Sequence, residues 1–264
     1  MIMKRDIVYI LKNDIKPDEL RYSLRSVCEN FPYRHIVFVG GCPDNLSCDL
    51  YIPHQQTGST KWQKALGSLK KALADESLTE DIFLFNDDFF ILKPVDTENF
   101  INFTDGTLGR RIRVLEANID RQSLYSKRLR SLFVRLKAEG KDTMSFTVHM
   151  PMLINRHKAL ELIEKNPECT MFRSLYGNTY EIPYTKHDDV KIYTTDKLPE
   201  SDDYLSCTEK SFGEGLVGEY IRNKFTHPCK YEFIKQAYAH ELYTEEGDER
   251  YVTESLIERS MRDG

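Results

Sequence analysis

The chain has 264 residues, of which 40% are hydrophobic and 30% charged, and its formal net charge is −5. That composition suits one large domain with a hydrated surface, and the acidic balance excludes a general affinity for nucleic acid. No apolar run approaches the roughly 20 residues of a membrane span, and six cysteines without a CxxC pair argue against a zinc site and for reduced thiols.

Asp6–Leu11 predicts a strand, mostly apolar and bounded by charge. It follows the first residues directly, without the apolar stretch of a secretory leader. Asn13-Asp14 stands at its carboxyl end. Pro17 and the acids after it fit a first helical turn, and Leu20, Leu24 and Val27 give one apolar helix face. Arg21 and Arg25, four residues apart, share a side. His35–Val39 is the next strand, ended by Gly40-Gly41. Strand, helix and strand within about 40 residues make a βαβ unit. Gly40 lets backbone approach a ligand, although the pair lacks dinucleotide-fingerprint spacing. Leu50–Ile52 is a short strand. Thr57–Thr60 supplies helix-start chemistry, and Trp62, Ala65, Leu66, Leu69, Ala72 and Leu73 recur at helical spacing among Lys61, Lys64, Lys70 and Lys71.

Ile82–Phe85 is an unbroken apolar run, a strand buried on both faces, stopped by Asn86-Asp87-Asp88. By the βαβ rules this edge is shared with Asn13-Asp14 and Gly40, and ligands bind at such an edge. Two adjacent carboxylates there are costly unless neutralised. A hard divalent cation with phosphate oxygens on its far side would neutralise them. The competing reading is a solvated turn.

The stretch 105–142 reads as a basic helical insertion. Arg110, Arg111, Arg113, Arg121, Lys127, Arg128, Arg130, Arg135, Lys137 and Lys141 face few acids, and Leu124, Leu129, Leu132, Phe133 and Leu136 give an amphipathic helix. It is either a solvated face or a docking surface, 110–141, for an anionic acceptor, lipid headgroup or polyanion. Ser145–Val148 is strand-like and places His149 at a strand end before Pro151, a position for a general base or for a structural histidine. Asn155–Asn166 reads as a helix. Arg173 and Tyr176-Gly177-Asn178 follow, and Asp188-Asp189 abuts a strand-like run, as a metal ligand, a base or a surface turn. A helix is expected around Leu216–Phe225 and a C-terminal helical tail over 233–264, all within one catalytic domain, 1–264.

Several of these segments resemble the conserved regions of the Stealth proteins. Asp18–Ser26 with His35–Val39, and Asn86–Phe90 with Pro94 and Phe100, resemble the central region. His149-Met-Pro151 and Phe172-Arg-Ser174 with Tyr176 resemble the next. Asp6–Tyr9 is similar to the first region, with Asn13-Asp14 where the family has Trp-Val-Asp/Asn-Gly. The likeness spans roughly residues 6 to 180. It implies a sugar-1-phosphate transferase using nucleotide sugars, with a Rossmann-like GT-A-type core: an α/β fold whose mixed, mainly parallel sheet is flanked by helices. It assigns Asp87 and Asp88 to Mn²⁺ or Mg²⁺ and the diphosphate, Arg21 and Arg25 to the donor, and His149 to catalysis.

The combined expectation is a metal-dependent transferase moving a sugar or sugar-1-phosphate from a nucleotide-sugar donor to a glycan, polymer or lipid-linked acceptor. Asp88, His149, Asp188 and Asp189 are the candidate catalytic residues. Asn13, Arg21, Arg25, Gly40, Lys61, Asn86 and Arg173 are the candidate donor contacts. The expected location is the cytoplasm, including the inner face of its membrane. The alternative is a non-catalytic module binding an anionic polymer through 110–141.

Overall fold

The computed structural model describes residues 4–118, 123–169, 171–198 and 203–233. In chain order the strands are β1 Asp6–Leu11, β2 Ile36–Gly40, β3 Leu50–Pro53, β4 Asp81–Phe85, β5 Phe89–Ile91, β6 Asn102–Thr104, β7 Met152–Asn155, β8 Tyr184–Lys186, β9 Lys191–Ile192 and β10 Tyr204–Cys207. The helices are α1 Pro17–Asn30, α2 Lys61–Leu73, α3 Leu108–Asn118, α4 Leu124–Ala138, α5 Arg156–Lys165, α6 Phe172–Thr179, α7 Glu209–Glu214 and α8 Leu216–Lys224. The chain divides into two compact units, Met1–Glu232 and Phe233–Gly264. The helical tail expected over 233–264 lies, beyond Phe233, outside the described residues.

A five-stranded sheet in the order β3-β2-β1-β4-β7 forms the centre. β1 pairs in parallel with β2 and β4, β2 pairs in parallel with β3, and β7 runs antiparallel on β4. The fold class is therefore the expected one. Strand alternation assigns the two faces. Ile7, Tyr9 and Leu11 face α1, whose Leu20, Leu24 and Val27 are fully buried against them. Val8, Val37 and Val39 face α2 through Leu69, Ala72 and Leu73. Burying each such Leu contributes roughly 1.5–3 kcal/mol. Tyr9 is fully buried, and its hydroxyl needs a partner. Ser23 Oγ donates to the Phe89 carbonyl at 2.5 Å, so Tyr9 Oη donates to Ser23 at 2.9 Å.

A three-stranded sheet, β5-β10-β9, stands beyond the carboxyl edge of the first, and β6 pairs with β8. The basic stretch is two helices, α3 and α4, rather than one, and Arg121 lies outside the described residues. Ser145–Val148 is not a strand. Its polar groups are satisfied without a ladder: Phe146 N–H donates to Ser174 Oγ at 3.0 Å, and Thr104 Oγ1 donates to the Ser145 carbonyl at 2.7 Å. Asn178 brackets Met144, accepting from its N–H at 2.7 Å and donating to its carbonyl at 2.8 Å. The strand begins only after Pro151, so His149 precedes a strand rather than ending one. Among the described residues no helix is long and apolar enough to cross a membrane.

Candidate active site

Asp87 and Asp88 lie just past the carboxyl end of β4. From β1 the sheet runs to β2 on one side and to β4 on the other, which makes the β1/β4 edge the topological switch point. There Phe89 N–H donates to the Asn86 carbonyl at 3.3 Å, turning the chain into β5. Asp88 is only 7% exposed. Its Oδ2 pairs with Lys191 Nζ and accepts from Ser206 Oγ at 3.1 Å. Half of the expected neutralisation thus comes from the chain itself. Asp88 Oδ1 is buried and has no partner. Burial, then the charge of Asp88, pushes the Asp87 carboxyl up to about 6. Burial and the charges of Asp87 and Asp88 push Glu19, in the first turn of α1, up to about 7. Repelling acids of this kind mark a place suited to a cation.

Arg173, in α6, reaches the same place. It donates to the Met150 carbonyl at 2.7 Å and to the Leu84 carbonyl at 3.4 Å, and its guanidinium lies 5.4 Å from the Phe89 ring centroid. Burial lowers it to about 10 against the opposing charge of Asp88.

His149 and Asp189 form a second cluster. His149 Nδ1 is 2.9 and 3.1 Å from the two carboxylate oxygens of Asp189, and the His149 backbone N–H donates to Oδ1 at 3.1 Å. A carboxylate only accepts, so Nδ1 carries a proton, and in the neutral imidazole the lone pair is then on Nε2. Burial alone would raise the Asp189 carboxyl. The hydrogen bonds from His149 and the charge of Arg111, 3.6 Å away, hold it below its usual range. Arg111 is itself fixed by an ion pair with Asp105 and a 3.4 Å bond to Tyr125 Oη.

One extended run joins the clusters. Asp189 and Lys191 flank buried Val190, so they project to the same side about 7 Å apart along the chain. Asp189 goes to His149 and Lys191 goes to Asp88. Beside them opens a cleft of about 690 Å³ lined by His187, Asp188, Asp189, Lys191, Tyr193 and Lys197, with Tyr193 61% exposed.

Of the remaining predicted residues, Asp188 lines this cleft and the others stand elsewhere. Arg25 makes a two-pronged pair with Glu232, both bonds 2.7 Å, and Arg21 lies 3.4 Å from the same carboxylate. Their shared face serves this internal pair. Asn13 bridges to the next loop, donating to the His54 carbonyl at 3.1 Å and accepting from Gln56 N–H at 3.2 Å. Gly40 has φ +100°, and a Cβ there would meet the Leu11 carbonyl oxygen at 2.4 Å, so strand packing demands the glycine. Lys61 is exposed over the Trp62 ring. Asp188 is exposed, its carbonyl accepting from His187 Nδ1 at 2.7 Å. Among the described residues no group of three His, Cys, Asp or Glu is arranged to hold a metal.

In structure the chain is similar to the galactosyltransferase LgtC in complex with donor and acceptor sugar analogues, with TM-score 0.50 and 11% identity over 89% of this chain and 99% of that one. The fold is that of the GT-A-like glycosyltransferases. Lower scores relate it to the glycosyltransferase GlyE of Streptococcus pneumoniae TIGR4, with TM-score 0.36 and 12% identity over 70% of this chain and 45% of that one. The same TM-score, 0.36, relates it to a glycosyltransferase involved in the glycosylation of the major capsid of PBCV-1, at 10% identity over 84% and 99% of the two chains. No protein-family model and no curated protein matches the sequence. Around the predicted residues the structure also places Glu19, Lys191 and Ser206, and Arg111 of the basic stretch, none of which the sequence marked as belonging to this site. Lys191 carried one usable signal, its i, i+2 spacing from Asp189 in a strand-like run.

Proposed function

We propose that this chain is a nucleotide-sugar-dependent transferase that moves a sugar or sugar-1-phosphate to a hydroxyl acceptor, as the Stealth resemblance implies. One observation carries the reading: Asp88 Oδ1, buried and unpartnered, stands beside Asp87 at the switch point of a GT-A-like sheet. An orphaned buried carboxylate oxygen next to a second carboxylate fits a hard cation. Two protein carboxylates leave the other positions to diphosphate oxygens and water, as Mg²⁺ prefers. A Mn²⁺ or Mg²⁺ ion held by Asp87 and Asp88 would supply Lewis-acid neutralisation of the diphosphate.

The chain's own groups do the rest. Lys191 and Arg173 bring positive charge to the leaving phosphate. Nε2 of His149 takes the proton of the acceptor hydroxyl, and Asp189 fixes the tautomer and stabilises the imidazolium. The cleft lined by Asp189, Lys191 and Tyr193 offers the acceptor, a glycan, polymer or lipid-linked sugar, a stacking face on Tyr193, whose ring centroid lies 6.5 Å from that of His149. If sugar-1-phosphate moves, the acceptor oxygen attacks the β-phosphorus and nucleoside monophosphate leaves. If sugar moves, it attacks the anomeric carbon and nucleoside diphosphate leaves.

Incubation with a panel of nucleotide sugars, followed by identification of the nucleotide released, tests the reading and separates the two reactions. Nucleotide release that His149→Ala slows by roughly 10²-fold is the expected result. A near-wild-type rate in that variant removes His149 from the mechanism. The polyanion-binding alternative draws less support, because Arg110, Arg111, Arg128, Arg130 and Arg135 are already engaged within the fold.

A further inference from the structure

The segment that follows α8, residues 225–232, lies against α1. Arg25 grips it by the pair with Glu232 and by a 2.9 Å bond to the Phe225 carbonyl. Three residues along α1 from Arg25, and so on the same face, is Cys28. Three residues before Glu232 is Cys229, whose backbone N–H donates to the Glu232 carboxylate at 3.0 Å. The two thiols are therefore brought to the same place by one turn-to-turn contact, and each is the first influence on the other's proton affinity. Both are free, Cys28 exposed and Cys229 half-buried.

The surroundings treat the two sulfurs differently. Cys28 Sγ is 3.4 Å from Tyr33 Oη, which is 3.2 Å from Tyr231 Oη, and Lys230 Nζ lies 5.6 and 4.7 Å from the centroids of those rings. Cys229 beside it, then the bond with Tyr33 and the charge of Lys230, hold the Cys28 thiol down at about 7. Cys229 is pushed far up by its neighbour and by burial. An accessible low-pKa thiol beside a resolving one is the arrangement that disulfide exchange requires. The other adjacent pair, Cys42 and Cys48, has no such poised sulfur, since burial raises both.

We propose that Cys28 and Cys229 form a thiol–disulfide exchange site that reversibly cross-links α1 to the segment 225–232. The co-reactant is a small disulfide of the glutathione type. Cys28 thiolate attacks one of its sulfurs, that S–S bond breaks, and one glutathione thiolate leaves. Cys229, its proton lost to solvent, attacks Cys28 Sγ in the mixed disulfide, and the second glutathione leaves. Two protein thiols are oxidised and one glutathione disulfide is reduced. Neither cysteine belongs to the transferase site, so this inference stands or falls apart from that reading.

The test incubates the full-length protein with oxidised glutathione near neutral pH, quenches with acid and maps unreduced peptides by mass. A Cys28–Cys229 cross-linked peptide that dithiothreitol removes is expected. Cys229→Ser should trap glutathione on Cys28, and Cys28→Ser should leave Cys229 unmodified. Free thiols at both positions, a lasting glutathione adduct on wild-type Cys28, or a Cys42–Cys48 cross-link in place of the expected one would overturn the proposal.

Discussion

Asp88 is held at one oxygen and left open at the other, which sets what its replacement does. Asp88→Asn keeps the volume and the bond from Ser206 but strands the Lys191 ammonium, whose side chain is 15% exposed. Removing one partner of a buried pair costs about 3–5 kcal/mol. The variant should therefore lose transferase activity and also unfold at lower urea, while Asp88→Asn with Lys191→Met should regain most of the stability and none of the activity. If the double variant is no more stable than the single one, the Lys191 pair does not set the cost. Glu19 gives the pH dependence. Its carboxyl is raised from 4.5 to about 7, first by burial. A raised acid contributes stability that is full below the unfolded value near 4.5 and is lost as pH rises through 7. Glu19→Gln should thus leave the ligand-free protein unchanged at about pH 4 and stabilise it by roughly 1–2 kcal/mol at about pH 8, a figure reduced for partial exposure. Equal urea midpoint shifts at both pH values would contradict this. At this scale the sequence shows Asp87, Asp88, Arg173 and His149, because residue type and position beside an apolar run mark them. It hides Lys191 and Ser206, since the positions that meet Asp88 lie 103 and 118 residues away.

At the level of elements, periodicity placed β1, α1, β2, α2, β4 and α5, because each buries one face or two against a neighbour. It failed at Ser145–Val148, where apolar alternation is real but reports burial in a side-chain-capped loop. Phe146 is 2% exposed and Val148 4%. Period-2 burial is necessary for a strand and not sufficient. Gly177 in α6 tests this packing. A Cβ there would stand 2.3 Å from the Phe146 ring. Gly177→Ala should destabilise by about 1–3 kcal/mol through overpacking. Gly213→Ala in α7, where nothing lies within 4 Å of the new Cβ, should be neutral or gain up to about 1 kcal/mol of helix propensity. Similar thermal midpoints for the two variants would mean that the loop yields without cost.

For the molecule as a whole, connection rules did what local propensity could not. Two βα crossovers bring the carboxyl ends of β1, β2 and β4 to one edge, and this alone predicted where Asp87 and Asp88 would stand. The run at β9 read as strand-like, but the antiparallel pairing of β7 and the sheet β5-β10-β9 were illegible, because the pairings span long separations and the strands are two to four residues long. That second sheet decides how ligands couple to stability. Asp88 immediately precedes β5, Ser206 lies on β10 and Lys191 on β9, so a ligand that engages Asp87, Asp88 and Lys191 bears on both sheets at once. It should stabilise the cooperative unit rather than a loop. At 100 times its Kd, such a ligand adds roughly 2.7 kcal/mol. For a domain of this size that is a rise in Tm of roughly 5–11 °C. The measurement is a thermal-shift matrix of nucleotides and nucleotide sugars, each with and without Mn²⁺ or Mg²⁺. A shift that needs cation and nucleotide together, and that Asp87→Asn abolishes, is expected from a site whose charges are half neutralised. A shift from nucleotide alone would mean that Lys191 and Arg173 suffice for the diphosphate. A shift only with a polyanion would transfer the function to the surface of α3 and α4.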